Sequence, residues 1–247
     1  MLIHVFTQEQ LPMLDFSLNA QPAITKIFIG EEQTPLLIID DFAMNPEDII
    51  AYAGDGASFK ADPKNFYPGK RKLVPRQYSE QICQRYLRVF RQYFGFKQAK
   101  KAKFAGSALA IVGTPVDELR PIQMLPHIDT PQSNQFALVH YLCSPEHGGT
   151  AFYRHKRTGY EAITQERLYK YASQVKKEAI ANQLHKAPSY MNGSNSMFEQ
   201  LYSVEASMNR AVIYPSNLLH SGNINPLLLS PSPHKGRLTI SSFIIVE

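Results

Sequence analysis

Ala211-Val212-Ile213-Tyr214-Pro215-Ser216-Asn217-Leu218-Leu219-His220 reads as a strand, a turn and then a histidine. An apolar, β-branched run ends at a Pro-Ser-Asn cluster, and a proline there closes a strand because it cannot donate to a ladder. The same texture surrounds this stretch. Residues 104–112, 121–124, 135–142, 150–153, 209–214 and 237–246 are short β-like segments separated by Gly, Pro and Asn. Short strands punctuated in this way predict a sandwich or barrel rather than alternating βαβ units.

Upstream the pattern is mixed. Residues 34–42 carry a strand-like apolar run, and Asn45-Pro46-Glu47-Asp48 then opens a helix with a capping Asn, Pro at the first helical position and acids in the first turn. That helix should end near Ala53, at Gly54-Asp55-Gly56. Residues 62–69 read as loop. A second helix is expected over 79–93, where Ile82, Tyr86, Val89, Phe90 and Tyr93 fall on one face, with Gly95 as its stop. Residues 164–184 carry a further helical pattern, followed by the loop Met191-Asn192-Gly193-Ser194-Asn195-Ser196. The expected organisation is an α/β supporting segment, 1–103, packed on a β-barrel core, 104–247, with an insertion at about 157–200, all within one compact domain.

Composition suits a large core: 247 residues, 44% of them hydrophobic. No apolar run approaches the roughly 18–20 residues that span a bilayer. The start, MLIHVFTQEQ, has neither a basic region nor a continuous apolar stretch, so no secretory leader is read and the cytoplasm is expected. Cys83 and Cys143 form no framework and are expected as small buried hydrophobes. The net charge is +5, and much of the excess falls within 60–103. That stretch could attract an acidic partner or nucleic acid. A solvated face of the supporting helices accounts for it as well, and nothing aromatic interleaves residues 97–103 for base stacking. Nucleic acid is therefore not the expected partner.

His127-Ile128-Asp129 follows a segment read as a strand leading into a loop. In extended chain, residues i and i+2 face one side, so an imidazole nitrogen and a carboxylate oxygen reach toward one point. They make two-thirds of a 2-His-1-carboxylate triad, the ferrous-iron site with open positions. Alone the pair is weak, since His-x-Asp arises by chance in roughly one such chain in four. The order of later features strengthens it: the 211–220 stretch ends on His220, and Arg237-Leu238-Thr239-Ile240-Ser241-Ser242-Phe243-Ile244-Ile245 opens a terminal strand with a basic residue.

This succession resembles the double-stranded β-helix (a jelly-roll, cupin-like barrel, here α+β with supporting helices) of Fe(II)/2-oxoglutarate-dependent oxygenases, nearest their prolyl-hydroxylase-like branch. The resemblance covers about residues 104–246. It implies Fe(II) held by His127, Asp129 and His220, with 2-oxoglutarate and O2 as co-substrates and Arg237 pairing with the far carboxylate of 2-oxoglutarate. A guanidinium fork suits that role. Seventeen positions separate His220 from Arg237, more than the family usually shows, and Ser230-Pro231-Ser232-Pro233 looks like the extra length. Tyr141 matches a position where relatives place a donor to the co-substrate, and a core aromatic is the other reading. Gly148-Gly149-Thr150 before an aromatic also matches, its glycines permitting a tight turn and close backbone approach. His155 could contact substrate. His140 reads as a satisfied core histidine, and His185 and His234 as solvated. Residues 67–71 could form a lid lip or a turn. The implied activity is oxidation, usually hydroxylation, of a small-molecule or peptidyl substrate, with succinate and CO2 released. The alternative is a metal-binding barrel that binds or senses without turnover, and Arg237 separates the two.

Overall fold

The structure is a computed structural model that describes residues 14–55, 59–61 and 66–247. The readings made of the first ten residues, of Gly56 and of residues 62–65 lie outside the described residues. In chain order the elements are β1 (Ala23–Ile29), β2 (Thr34–Asp40), α1 (Pro46–Gly54), β3 (Gly69–Leu73), α2 (Arg76–Tyr93), β4 (Ala102–Val112), β5 (Gln135–Tyr141), β6 (Thr150–His155), α3 (Gln165–Ala181), β7 (Phe198–Val204), β8 (Arg210–Pro215), β9 (His220–Gly222) and β10 (Leu238–Val246).

One sheet has the order β1-β2-β8-β5-β10-β4-β3 and the other β7-β6-β9, every pairing antiparallel. A bridge between His127 and His220 brings the His127 segment to the free side of β9. Four strands, β4-β10-β5-β8, thus oppose four, His127 segment-β9-β6-β7. This is the double-stranded β-helix, with β1, β2 and β3 widening the larger sheet.

Strand alternation divides the core in two. Leu138, Ile240 and Leu109 point outward and pack with Ile49 of α1 and Ile82, Tyr86 and Phe90 of α2. Tyr141, Val212 and Tyr214 point inward and meet Phe152 and Val204 of the smaller sheet. α3 lies against that smaller sheet through Tyr171, near Tyr153 and Phe198. Cys83 and Cys143 are buried and unpaired, as expected.

Four strands, β1, β3, β7 and β9, escaped the sequence reading; the loop read over 62–69 and the lid lip or turn read over 67–71 run into β3, and one strand reading was wrong. Residues 121–124 are a 3₁₀ turn, not a strand. Pro121 has no N–H for a ladder, and Gln123 closes the turn locally: its N–H donates to Arg120 O, and its Oε1 accepts from Arg120 N, both at 2.8 Å. β1, β3 and β7 mix polar and apolar residues. All three are sheet edges, where half-buried strands show weak alternation, and β9 is only three residues long. No described helix is long and apolar enough to cross a membrane.

Candidate functional site

Two chain segments deliver three donor groups. His127 and His220 exchange backbone hydrogen bonds, N–H to O at 2.9 Å both ways, and their ring centroids lie 4.4 Å apart. Asp129 is held by its N–H donating to Ser216 O at 2.8 Å, so the Pro-Ser turn after β8 sets its position. The nitrogen and carboxylate donor atoms of His127, Asp129 and His220 all fall within 4.8 Å of one another. His220 Nδ1–H donates to Leu218 O at 2.8 Å, which leaves the lone pair on Nε2, 3.8 Å from Asp129 Oδ2.

Charge is held here at a cost. His127 is exposed at the rim, yet the protein around it drives its pKa to about 4, through lost solvation and then the neighbouring His220. Burial brings His220 to about 4, against its bond to Leu218. Burial lifts Asp129 to about 6, opposed by His127 and Arg71. At neutral pH the group is therefore two neutral imidazoles and one carboxylate, and Asp129 Oδ2 is buried without a hydrogen-bond partner. An orphaned carboxylate oxygen facing an imidazole lone pair suits a shared divalent cation. At 3.8 Å the two atoms can reach one ion from about 2.1 Å each.

Arg237 is buried, and Nε and Nη2 donate to the carbonyls of Gly148 (3.0 Å) and Gly149 (2.7 Å). Those carbonyls need the two glycines. An added Cβ would lie 1.4 Å from Asn223 O at Gly148, whose φ is +84°, and 1.7 Å from Val204 O at Gly149. Arg237 forms no ion pair among the described residues and lies 5.9 Å from the Tyr141 ring. Its Nη2 is 3.6 Å from where a Cβ of Gly222 would stand. Gly222 is two residues beyond His220 on β9, hence on the same side and about 6.6 Å along the strand. Tyr141 is fully buried, and its hydroxyl donates to Thr150 Oγ1 at 2.6 Å.

Residues 20–244 match the model of a family described as one of unknown function, DUF6445. The chain belongs to this family. No curated protein matches this DUF6445 chain. Among solved structures, HygX from Streptomyces hygroscopicus with nickel and 2-oxoglutarate bound is similar over 87% of the chain and 84% of its own, at 12% identity and TM-score 0.44. EctD from S. alaskensis with bound Fe is similar over 93% and 83%, at 11% identity and TM-score 0.43. SnoN, a non-heme alpha ketoglutarate dependent epimerase from nogalamycin biosynthesis, is similar over 87% and 79%, at 7% identity and TM-score 0.48.

Not every expected site residue of the DUF6445 chain reaches the triad. His155 does not: it is fully buried, its nitrogens meet Thr158 Oγ1 (2.9 Å) and Glu178 Oε2 (3.3 Å), and its ring packs against Tyr171 and Phe198. Strand alternation on β6 sends it toward α3 and away from the triad. His140 is the core histidine expected, bonded to Tyr78 Oη (2.9 Å) and Asn209 Oδ1 (3.1 Å). His185 and His234 are exposed. One residue was missed: Arg71 of β3, whose charge acts on both His127 and Asp129. Arg71 was read only as part of the basic 60–103 stretch and of a lid lip or turn at 67–71. Three successive cations carry no apolar period, so no local signal marks which of them turns inward.

Proposed function

We propose that this chain is an Fe(II)- and 2-oxoglutarate-dependent oxygenase of the prolyl-hydroxylase-like branch. In this reading His127, Asp129 and His220 ligate iron and Arg237 holds the far carboxylate of 2-oxoglutarate. One observation carries it: a buried carboxylate oxygen without a hydrogen bond faces two neutral imidazoles, while a buried guanidinium without a counter-charge sits one strand repeat away. That spacing matches a five-carbon dicarboxylate anchored at both ends. Iron with 2-oxoglutarate and O2 would supply oxidising power for attack on a C–H bond, with succinate and CO2 released.

The chain's own residues do the positioning. The Leu218 carbonyl fixes the His220 tautomer and keeps Nε2 turned to the centre. The Gly148 and Gly149 carbonyls hold two guanidinium nitrogens and leave the rest of the fork for a carboxylate. Tyr141, through Thr150, lines the space beside Arg237. The insertion at about 157–200, which contains α3, is the segment assigned to substrate recognition, the substrate being a small molecule or a peptidyl side chain. A barrel that only binds metal would have no use for an inward, uncompensated Arg237, which favours turnover.

The test is anaerobic addition of Fe(II) and then 2-oxoglutarate, watching for the visible charge-transfer band of the chelate. The band should form in wild type and be lost in Asp129→Ala and His220→Ala. Its absence from wild type would sink the oxygenase reading, and its survival in the variants would sink the ligand assignment.

A further inference from the structure

β3 reads Gly69-Lys70-Arg71-Lys72-Leu73, three successive cations on a strand at the edge of the large sheet. Alternation sends them to different places. Lys70 is exposed. Lys72 is buried on the helix side, its Nζ donating to the Tyr52 and Asp55 carbonyls at the end of α1. Arg71 goes the other way. It is paired with Ala110, Ala110 with Thr239, and Thr239 with Tyr141, so its side chain shares the inner face with that row. Arg237, two residues before Thr239, projects from the same face.

The Arg71 guanidinium lies 4.9 Å from the centre of the Tyr67 ring. Its Nε is buried without a hydrogen-bond partner, and no ion pair among the described residues includes it. Arg237 acts on the hydroxyl of the same Tyr67, as Arg71 does, so the two guanidiniums lie around one tyrosine on the inner face. With the iron and 2-oxoglutarate of the proposed function in place, the charges can be added. Iron's two positive charges cancel the two negative charges of 2-oxoglutarate, and Arg237 cancels Asp129. Arg71 is left over. A half-buried cation with no counter-charge among the described residues is unfavourable, and one further negative charge removes the imbalance. A phosphate monoester would overshoot, whereas a carboxylate balances it and matches the guanidinium fork.

We propose that Arg71 is a specificity-determining residue that receives a single carboxylate group of the substrate. The substrate class is then a monocarboxylate, either a free small molecule or the C-terminus of a peptide. This inference rests on the oxygenase reading.

Protein loaded anaerobically with Fe(II) and 2-oxoglutarate is titrated with propionate, hippurate and Ala-Ala-Ala, each beside its amide, while the chelate band is followed. At least one acid should shift the band saturably, with its amide at least tenfold weaker. A response to hippurate or propionate alone identifies a small molecule, and one to the tripeptide alone a peptide terminus. In Arg71→Met the affinity for the responding acid should fall at least tenfold and the 2-oxoglutarate titration change less than twofold. Arg71→Lys should recover part of the loss. The proposal is overturned if no acid in the panel shifts the wild-type band, if acid and amide bind alike, or if Arg71→Met binds the acid as wild type does. Loss of the chelate from both Arg71→Met and Arg71→Lys also overturns it, by assigning Arg71 to the co-substrate or the fold. Failure of the oxygenase reading looks different: wild type then forms no band at all.

Discussion

Replacing Asp129 by Asn should make the metal-free protein more stable while destroying the metal site. Folding takes the Asp129 carboxyl from an ordinary pKa of 3.8 to about 6, chiefly by removing its solvation. A shift of about two units at about 1.4 kcal/mol each means the folded state carries about 3 kcal/mol of penalty for the charge above pH 6. The side chain is only 15% exposed, so little of this is screened. Asn has the same shape, carries no charge and can donate to the His220 Nε2 lone pair. At roughly 2.1 cal/mol/K of unfolding entropy per residue, the gain corresponds to about 6 °C in Tm at pH 7.5. The sign with pH is definite. Below about pH 4 the carboxyl is protonated in both folded and unfolded chains and the variant has no advantage. The advantage grows between pH 4 and 6, reaching about half its full value near pH 5. The assay is thermal denaturation after chelator treatment, at pH 7.5 and pH 5, with and without added Mn(II). Wild type should gain Tm with the metal and the variant should not. A chelator-treated Asp129→Asn that melts at or below wild type at pH 7.5 refutes the idea that the carboxylate is held at a cost in readiness for a cation.

Arg237→Lys keeps the charge but loses the fork across the Gly148 and Gly149 carbonyls. Affinity for 2-oxoglutarate should fall about 10- to 100-fold with iron affinity nearly unchanged, read from the chelate titration. Gly148→Ala must move either its own backbone or Asn223, at a cost of order 1–3 kcal/mol, and should lower both Tm and 2-oxoglutarate affinity. Buried His140 has its pKa lowered by burial to about 4 from 6.5, so the unfolded chain takes up its proton first. Its contribution of up to about 3 kcal/mol is complete above pH 6.5 and is lost as pH falls toward 4. His140→Gln should flatten that acid limb in denaturant titrations, and an unchanged limb would contradict the assignment.

Local signals carried much of the fold. Asn45-Pro46-Glu47-Asp48 opens α1 at Pro46, and the face built on Ile82, Tyr86 and Phe90 is the one α2 buries. Strands β4, β5, β8 and β10 were legible because each is apolar on one face or both, and burial is what shapes such strands. β3 was not legible, because a Lys-Arg-Lys strand has no apolar period of its own. Its cations are accommodated by Ala110 beside it, by α1 carbonyls behind it and by the barrel interior in front. The placement of His155 was illegible for a related reason: a histidine after aromatic residues looks the same from sequence whether its strand turns it toward a cavity or toward a helix.

From sequence alone came the candidates at the centre: His127, Asp129 and His220, in an order and texture that implied one barrel, with Arg237 opening its last strand. These were readable because a strand's two-residue period and a proline turn are local physics. Only the tertiary structure decided that the donor atoms lie within 4.8 Å of one another, that Arg237 rests on two glycine carbonyls, and that Arg71 joins it inside. Pairing register across β3, β4, β10 and β5 sets the face each residue presents, and register is a property of the assembled sheet rather than of any one strand.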